Sequence, residues 1–245
     1  MAQPLSFSLH YKNIGPIFRK EIRSYFNSAV AYVVIVVFLA FLGWFYASNM
    51  FLIGVASLRD MFETSRWVLL FIIPAITMRL LAEETKSGTI ELLTTKPVHD
   101  AEIVIGKFLA AWALIAFALL PTLIYYITLA SLGTIDNGPV IGGYLGLLLM
   151  AGVYVAIGLF ASSITDNQIV AFILGISLIV VLFILDKVLM FFPQSLASIL
   201  EYLSTDFHFT SIARGVIDTR DIVYFFSILG FMLYASTVSL ERRKW

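Results

Sequence analysis

Six apolar runs, at about Ala29 to Asn49, Arg66 to Ala82, Phe108 to Ala130, Ile141 to Ala161, Ile169 to Leu185 and Ile222 to Leu240, are each long enough or nearly long enough to cross a bilayer. About 20 helical residues at ~1.5 Å rise span the ~30 Å hydrocarbon core. In a chain of 245 residues these runs leave little room for a soluble domain. A soluble fold that was 60% hydrophobic and 13% charged would carry more apolar surface than its interior could hide. The expected fold is an all-α integral membrane protein, a single transmembrane domain over 1–245 with six transmembrane helices. Its chemistry must then lie between the helices and at their ends.

The charge balance narrows the function. Sixteen Lys and Arg match sixteen Asp and Glu, so nucleic acid is not an expected partner. The chain has no cysteine, which removes disulfides, thiolate metal sites and thiol nucleophiles. The first 28 residues are too polar for the apolar part of a signal peptide, so the first span is expected to be retained.

Basic residues near span ends stay on the cytoplasmic side. With the amino terminus inside, the inner segments hold Lys12, Arg19, Lys20, Arg23, Arg79, Lys86, Lys96, Lys107, Arg242, Arg243 and Lys244. The outer segments hold only Arg59, Arg66, Lys187, Arg214 and Arg220. Both termini are therefore expected in the cytoplasm. Span two is the weakest, reaching bilayer length only if Arg79 snorkels inward and Trp67 anchors the outer interface, with Pro74 kinking its middle.

Between the spans, residues 12–28 read as an interfacial amphipathic helix. Phe18, Ile22 and Phe26 share one face with Ile14, Ile17 and Tyr25, and Arg19, Lys20 and Arg23 gather on the other. It is either an elbow tied to cytosolic machinery or a plain membrane-surface anchor, and Asn27-Ser28 lets the chain turn into span one. Residues 83–107 form the most informative inner segment. Gly88 should break the helix leaving span two, and Thr89 can cap a short helix through Ile90, Glu91, Leu92, Leu93, Thr94, Thr95 and Lys96 that Pro97 ends. Asp100 is the expected cap of the helix entering span three. Ile90, Leu92 and Leu93 either meet a partner protein or fold back onto the lipid interface.

The inner turn at Ser162 to Gln168, with Thr165, Asp166 and Asn167, reads by itself as a capped turn. The outer loop, 186–221, should contain short helices dipping into the interface. Its Asp206, His208 and Arg214 read as structural, since no second histidine or carboxylate sits at zinc spacing. Asp186 and Lys187 are explained by a membrane-surface position.

Several machines are missing. The pair Gly106-Lys107 precedes Phe108 without the upstream glycine of a phosphate loop. Spans one, three, four and six hold no charge, which argues against an ion-driven carrier. Neither a zinc-protease motif nor a serine elbow appears, so the chain is not expected to be an enzyme. No catalytic, metal or cofactor residue is assigned; what remains is a bundle that takes its energy from a partner.

The run from Glu83-Glu84 through Gly88-Thr89, Glu91-Leu92-Leu93 and Pro97 to Gly106-Lys107-Phe108 resembles the signature of type-2 ABC exporter permeases. Ile17-Phe18-Arg19-Lys20-Glu21-Ile22 with Tyr25-Phe26 is similar to that family's connecting helix. Residues 163–172 and 211–221 resemble its gliding-motility-associated, GldF-like branch. The resemblance covers essentially the whole chain. It implies that Thr89 to Pro97 is the coupling helix docking on a separate cytosolic ATPase, with Thr165, Asp166 and Asn167 as a second, minor contact.

It further implies a second permease copy or related chain forming a dimer, an auxiliary subunit with a periplasmic domain, and a place in a bacterial cytoplasmic membrane. ATP and Mg would be bound by the ATPase alone. The expected function is export coupled to ATP hydrolysis by that partner. The alternative is a mechanical or scaffold subunit that relays ATP-driven motion to a periplasmic partner without moving solute.

Overall fold

The computed structural model describes residues 13–53, 58–88, 98–133, 135–189 and 192–242. Among these residues the chain is all-α. In chain order the helices are α1 (Ile14–Asn27), α2 (Ala29–Ile53), α3 (Arg59–Thr77), α4 (Ala82–Lys86), α5 (Asp100–Leu119), α6 (Leu123–Leu132), α7 (Asn137–Ser163), α8 (Gln168–Ile184), α9 (Gln194–Leu203), α10 (Thr205–Ala213) and α11 (Thr219–Arg242). A 3-10 turn at Leu120–Thr122 joins α5 to α6 where Pro121 interrupts the α-helical bonding.

Among the described residues, five helical stretches are long and apolar enough to cross a membrane: Ala29–Ser48, Arg59–Lys86, Asp100–Leu132, Asn137–Ser163 and Thr219–Arg242. The fifth apolar run forms α8, which is shorter at 17 residues. Asn167 fixes where it starts, its Oδ1 accepting the Ile169 amide at 2.9 Å, and a turn before Asp186-Lys187 ends it.

Bonds between helices distant in sequence define two ends of the bundle. At one end the Leu81 amide donates to Ser162 at 3.0 Å and the Ser239 hydroxyl donates to the Ser163 carbonyl at 3.1 Å, so α4, the end of α7 and the end of α11 lie together. At the other end Lys187, just past α8, meets Asp206 of α10 at 2.6 Å, and Asp206 also pairs with Arg66 of α3. Helix α8 starts beside Ser163 and finishes at this second end, so it runs the length of the bundle despite its brevity.

Helix α7 is the axis, and its glycines explain why. In lipid there is little hydrophobic drive between helices, so close backbone approach at small residues must supply the contact. A Cβ at Gly142 would collide with the Ile212 carbonyl of α10, and one at Gly158 with Thr77 Oγ1 of α3. Gly143 receives the Phe62 ring and Gly146 the Phe209 ring. Trp112 of α5 adds a bond from Nε1 to the Leu148 carbonyl at 2.8 Å. By contrast α2 turns Val36, Phe41 and Trp44 outward, Trp44 being 73% exposed, as a lipid-facing helix does.

Four expectations are corrected. Helix α3 runs through Pro74 and ends at Thr77, so the break comes at Met78–Leu81, well before Gly88. Gly88 still adopts a positive φ of 68°, a turn conformation that suits glycine. Asp100 is the first residue of α5, whose N-cap is His99; Glu102 Oε2 reaches back to the His99 amide at 3.1 Å. Arg66 is a buried member of α3, 8% exposed, since Asp206 neutralises it. A turn does fall at Asn27-Ser28, and two short helices, α9 and α10, do form within 186–221, but α10 packs into the bundle through buried His208, Phe209 and Ile212 where an interfacial helix was expected.

Candidate transmission site

The end of the bundle that carries α4 and the start of α5 gathers the ionic groups that sequence left scattered. Helix α1 docks along the first two turns of α5 at three points. Glu102 accepts hydrogen bonds from the Asn13 amide (3.2 Å) and the Asn13 side chain (3.1 Å). Ile17 lies against Gly106, where an added Cβ would come within 2.7 Å of Cγ2. Glu21 then meets Lys107 at 3.0 Å. Positions 13, 17 and 21 recur at one helical turn, so a single stripe of α1 makes all three contacts.

Lys107 is the hub. Its Nζ also lies 2.9 Å from Glu84 of α4, and the residue is only 1% exposed. A buried ammonium persists only when paired, and here two carboxylates from two other helices pair it. Lys20 approaches the same Glu84 at 3.8 Å from the exposed side, a contact of little energetic weight. The Gly106-Lys107 pair thus has a physical meaning: the glycine admits α1 and the lysine locks α1 to α4.

Ser162 of α7 spans the break between α3 and α4. Its Oγ accepts the Leu81 amide (3.0 Å) and the Ala82 amide (2.9 Å), and its hydroxyl donates to the Met78 carbonyl (3.0 Å). Helix ends leave such groups unmet, and this serine replaces the missing intrahelical partners. The expectation for Ser162 was only the start of a turn.

A cavity of about 270 Å³ opens between α1 and this break, lined by Tyr25, Arg79, Leu80, Glu83, Glu84 and Lys107 among others. The Tyr25 hydroxyl is buried without a hydrogen-bond partner. Burial pushes the phenol well above its ordinary range, with Glu21 adding to the effect, so it stays neutral.

The residues expected to meet an ATPase, Thr89, Ile90, Glu91, Leu92, Leu93, Thr94, Thr95, Lys96 and Pro97, lie outside the described residues. Their two anchors are described, since Glu84 precedes the segment and Lys107 follows it. In the 162–168 turn, Thr165 Oγ1 accepts the Asn167 amide at 3.1 Å and Asn167 caps α8, while Asp166 is exposed. On α1, Phe18, Ile22 and Phe26 pack toward the core, Phe26 meeting Phe117 edge-on at 5.4 Å, so the apolar face covers α5. Arg19, Lys20 and Arg23 are exposed on the opposite face.

The opposite end holds a second polar cluster. Asp206 is shared by Arg66 and Lys187, and Lys187 also reaches Asp186 at 3.2 Å. Asp186 and Lys187 therefore belong to a network that ties α8 to α10 and α3. His208 is 1% exposed; its Nδ1 lies 2.6 Å from Asp221 and its Nε2 2.9 Å from the Tyr202 carbonyl, with Tyr224 stacked at 3.8 Å. Both ring nitrogens face oxygen acceptors, which hold the ring in place between α10 and α11. No group of three metal-ligating side chains exists among the described residues. Between α2 and α3 an apolar groove of about 670 Å³ is lined by Phe41, Phe45, Trp67 and Phe71.

Compared with known families, residues 16–239 match the model described as ABC-2 family transporter protein. Members of that family are typically non-catalytic membrane subunits, and they generally pair with an ABC ATPase. No curated protein matches the chain.

Proposed function

This chain belongs to the ABC-2 family of transporter proteins, and from that premise we propose that it is the permease that couples ATP hydrolysis by a separate cytosolic ATPase to export. The observation that carries the reading is Lys107, a buried cation held by Glu21 and Glu84. Force applied to residues 89–97 enters the bundle through α4 and α5, and Lys107 joins both to α1 at that point. Ser162 and the cavity beside Tyr25 give the break at Met78–Leu81 a bonded pivot and room to turn. Displacement of α4 is then passed to α7 and α3 as a hinge motion.

In this reading α8 is the sixth crossing, supported by its course from Ser163 to the Lys187–Asp206 pair. A ~25 Å helix of this length crosses a hydrocarbon layer with modest local thinning. Helix α1 and the end of α11 then share the cytoplasmic side, in keeping with the bias of Lys and Arg. The groove between α2 and α3 supports pairing with a second permease chain on that face. ATP and Mg belong to the ATPase, and the place of work is a bacterial cytoplasmic membrane. The likeness of residues 163–172 and 211–221 to the gliding-motility branch supports a position near it, with an auxiliary periplasmic subunit as a further partner.

The test is co-purification. Leu93→Asp should abolish capture of the ATPase while leaving membrane insertion intact. Normal capture by that variant would overturn the coupling assignment.

A further inference from the structure

With its apolar face packed on α5, α1 turns Pro16, Arg19, Lys20, Arg23, Ser24 and Asn27 outward, all of them exposed and together lining a shallow groove of about 580 Å³. Among the described residues no carboxylate lines this groove. The charges around it can be counted. Glu21 and Glu84 face Lys107 and Lys20, two against two, and Glu83 holds Arg79 at 2.9 Å. Arg19 and Arg23 are left over, with no carboxylate at ion-pair distance among the described residues. Nor does the neighbouring sequence cancel them: residues 1–12 hold no Asp or Glu, and residues 89–97 hold one Glu against one Lys. The face therefore keeps two positive charges, one helical turn apart.

Position decides what can meet these charges. Arg23 and Arg19 precede Ala29, where the apolar helix α2 begins, by six and ten residues, so the chain keeps them within roughly 10 and 16 Å of the hydrocarbon edge. Headgroups fill the first ~5–8 Å beyond that edge, and a long guanidinium side chain spans what remains. Tyr32, exposed one turn into α2 and edge-on to Phe26 at 6.2 Å, stands at the level of an interfacial aromatic. Because Asn13, Ile17 and Glu21 fasten α1 to α5, the helix cannot roll its basic face away from this layer.

We propose that the Arg19–Arg23 face of α1 binds headgroups of anionic lipids in the leaflet at the α4 end of the bundle. Each guanidinium can fork onto two oxygens of a lipid phosphate. A zwitterionic headgroup brings its own cation, so only a lipid with net negative charge answers the two that are left over. Membrane-surface cations contribute about 1 kcal/mol each toward anionic lipid. An acidic protein surface is the competing occupant, and the closeness of both arginines to the hydrocarbon edge favours the lipid. The inference needs neither the ATPase nor residues 89–97, so it stands or falls apart from the coupling proposal.

The test uses the full chain in a maltoside detergent, with thermal unfolding titrated by dioctanoyl phosphatidylglycerol and, separately, by dioctanoyl phosphatidylcholine. A saturable rise in Tm is expected with the first lipid and not with the second, and added salt should weaken it. The double variant Arg19→Gln, Arg23→Gln should shift the phosphatidylglycerol midpoint roughly tenfold or more toward higher lipid. Both side chains are exposed, so the variant should fold. Arg59→Gln, equally exposed at the opposite end, should leave the midpoint unchanged, as should Leu93→Asp. Equal responses to the two lipids, or an undiminished phosphatidylglycerol response in the double variant, would overturn the proposal. An undiminished lipid response together with lost capture of the ATPase would overturn it in favour of an acidic protein surface.

Discussion

Lys107 Nζ and Glu84 Oε1 stand 2.9 Å apart, so the two helices flanking residues 89–97 are tied to each other at the base of that segment. Glu21 completes the tie from α1. Lys107→Met should therefore strand two partly buried carboxylates, at about 3–5 kcal/mol. Glu21→Gln alone should cost less, since Glu84 still pairs the ammonium. Thermal unfolding in detergent checks the order, and equal losses in the two variants would count against a shared hub.

Ser162→Ala removes the acceptor for the Leu81 and Ala82 amides and the donor to the Met78 carbonyl. The expected cost is about 1–3 kcal/mol, with faster proteolysis between α3 and α4. Ser163→Ala loses only a bond to the Phe160 carbonyl of its own helix and should stay within about 0.5 kcal/mol of the parent. Limited proteolysis beside unfolding curves separates them.

Gly158→Ala would drive a methyl group into Thr77, so a loss of about 1–3 kcal/mol is expected. Gly230 of α11 has nothing within 4 Å of its would-be Cβ. Gly230→Ala should be neutral or raise stability by up to about 1 kcal/mol through helix propensity. Opposite signs in the two unfolding experiments are the expected outcome.

The crossing by α8 can be read by labelling, because the chain has no native cysteine to confuse the signal. Asp166→Cys should react with an impermeant maleimide only from the cytoplasmic side, and Asp218→Cys only from the outside. Labelling of both from one side would reduce the bundle to five crossings and place its ends on opposite faces.

Much of the fold was legible because lipid imposes a single rule, that a spanning segment be apolar and helical, and all six runs became helices. Local chemistry also read true at Asn27-Ser28, where a short polar pair ends one helix and starts the next. What could not be read were contacts between residues distant in sequence. Glu21 and Lys107 are 86 residues apart, and neither looks unusual in its own segment. The break at Met78–Leu81 contains no glycine or proline; its partner, Ser162, lies on another helix. Pro74 was the expected kink and Gly88 the expected breaker, and α3 continues past Pro74 only to Thr77. His208 looked alone because Asp221, 13 residues on, meets it only after α10 and α11 fold back. Arg66 was counted with the outer segments, since nothing near it in sequence offered the charge that Asp206 supplies.

The central claim is that an external motor grips the segment between Glu84 and Lys107. A photo-crosslinking maleimide placed at Leu93→Cys, in membranes containing the co-expressed ATPase, asks this directly. The expected result is a covalent adduct with an ATP-binding chain, absent when the probe is placed at Leu196→Cys in α9. Adduct formation with lipid alone at position 93, while the ATPase remains bound to the complex, would contradict the account.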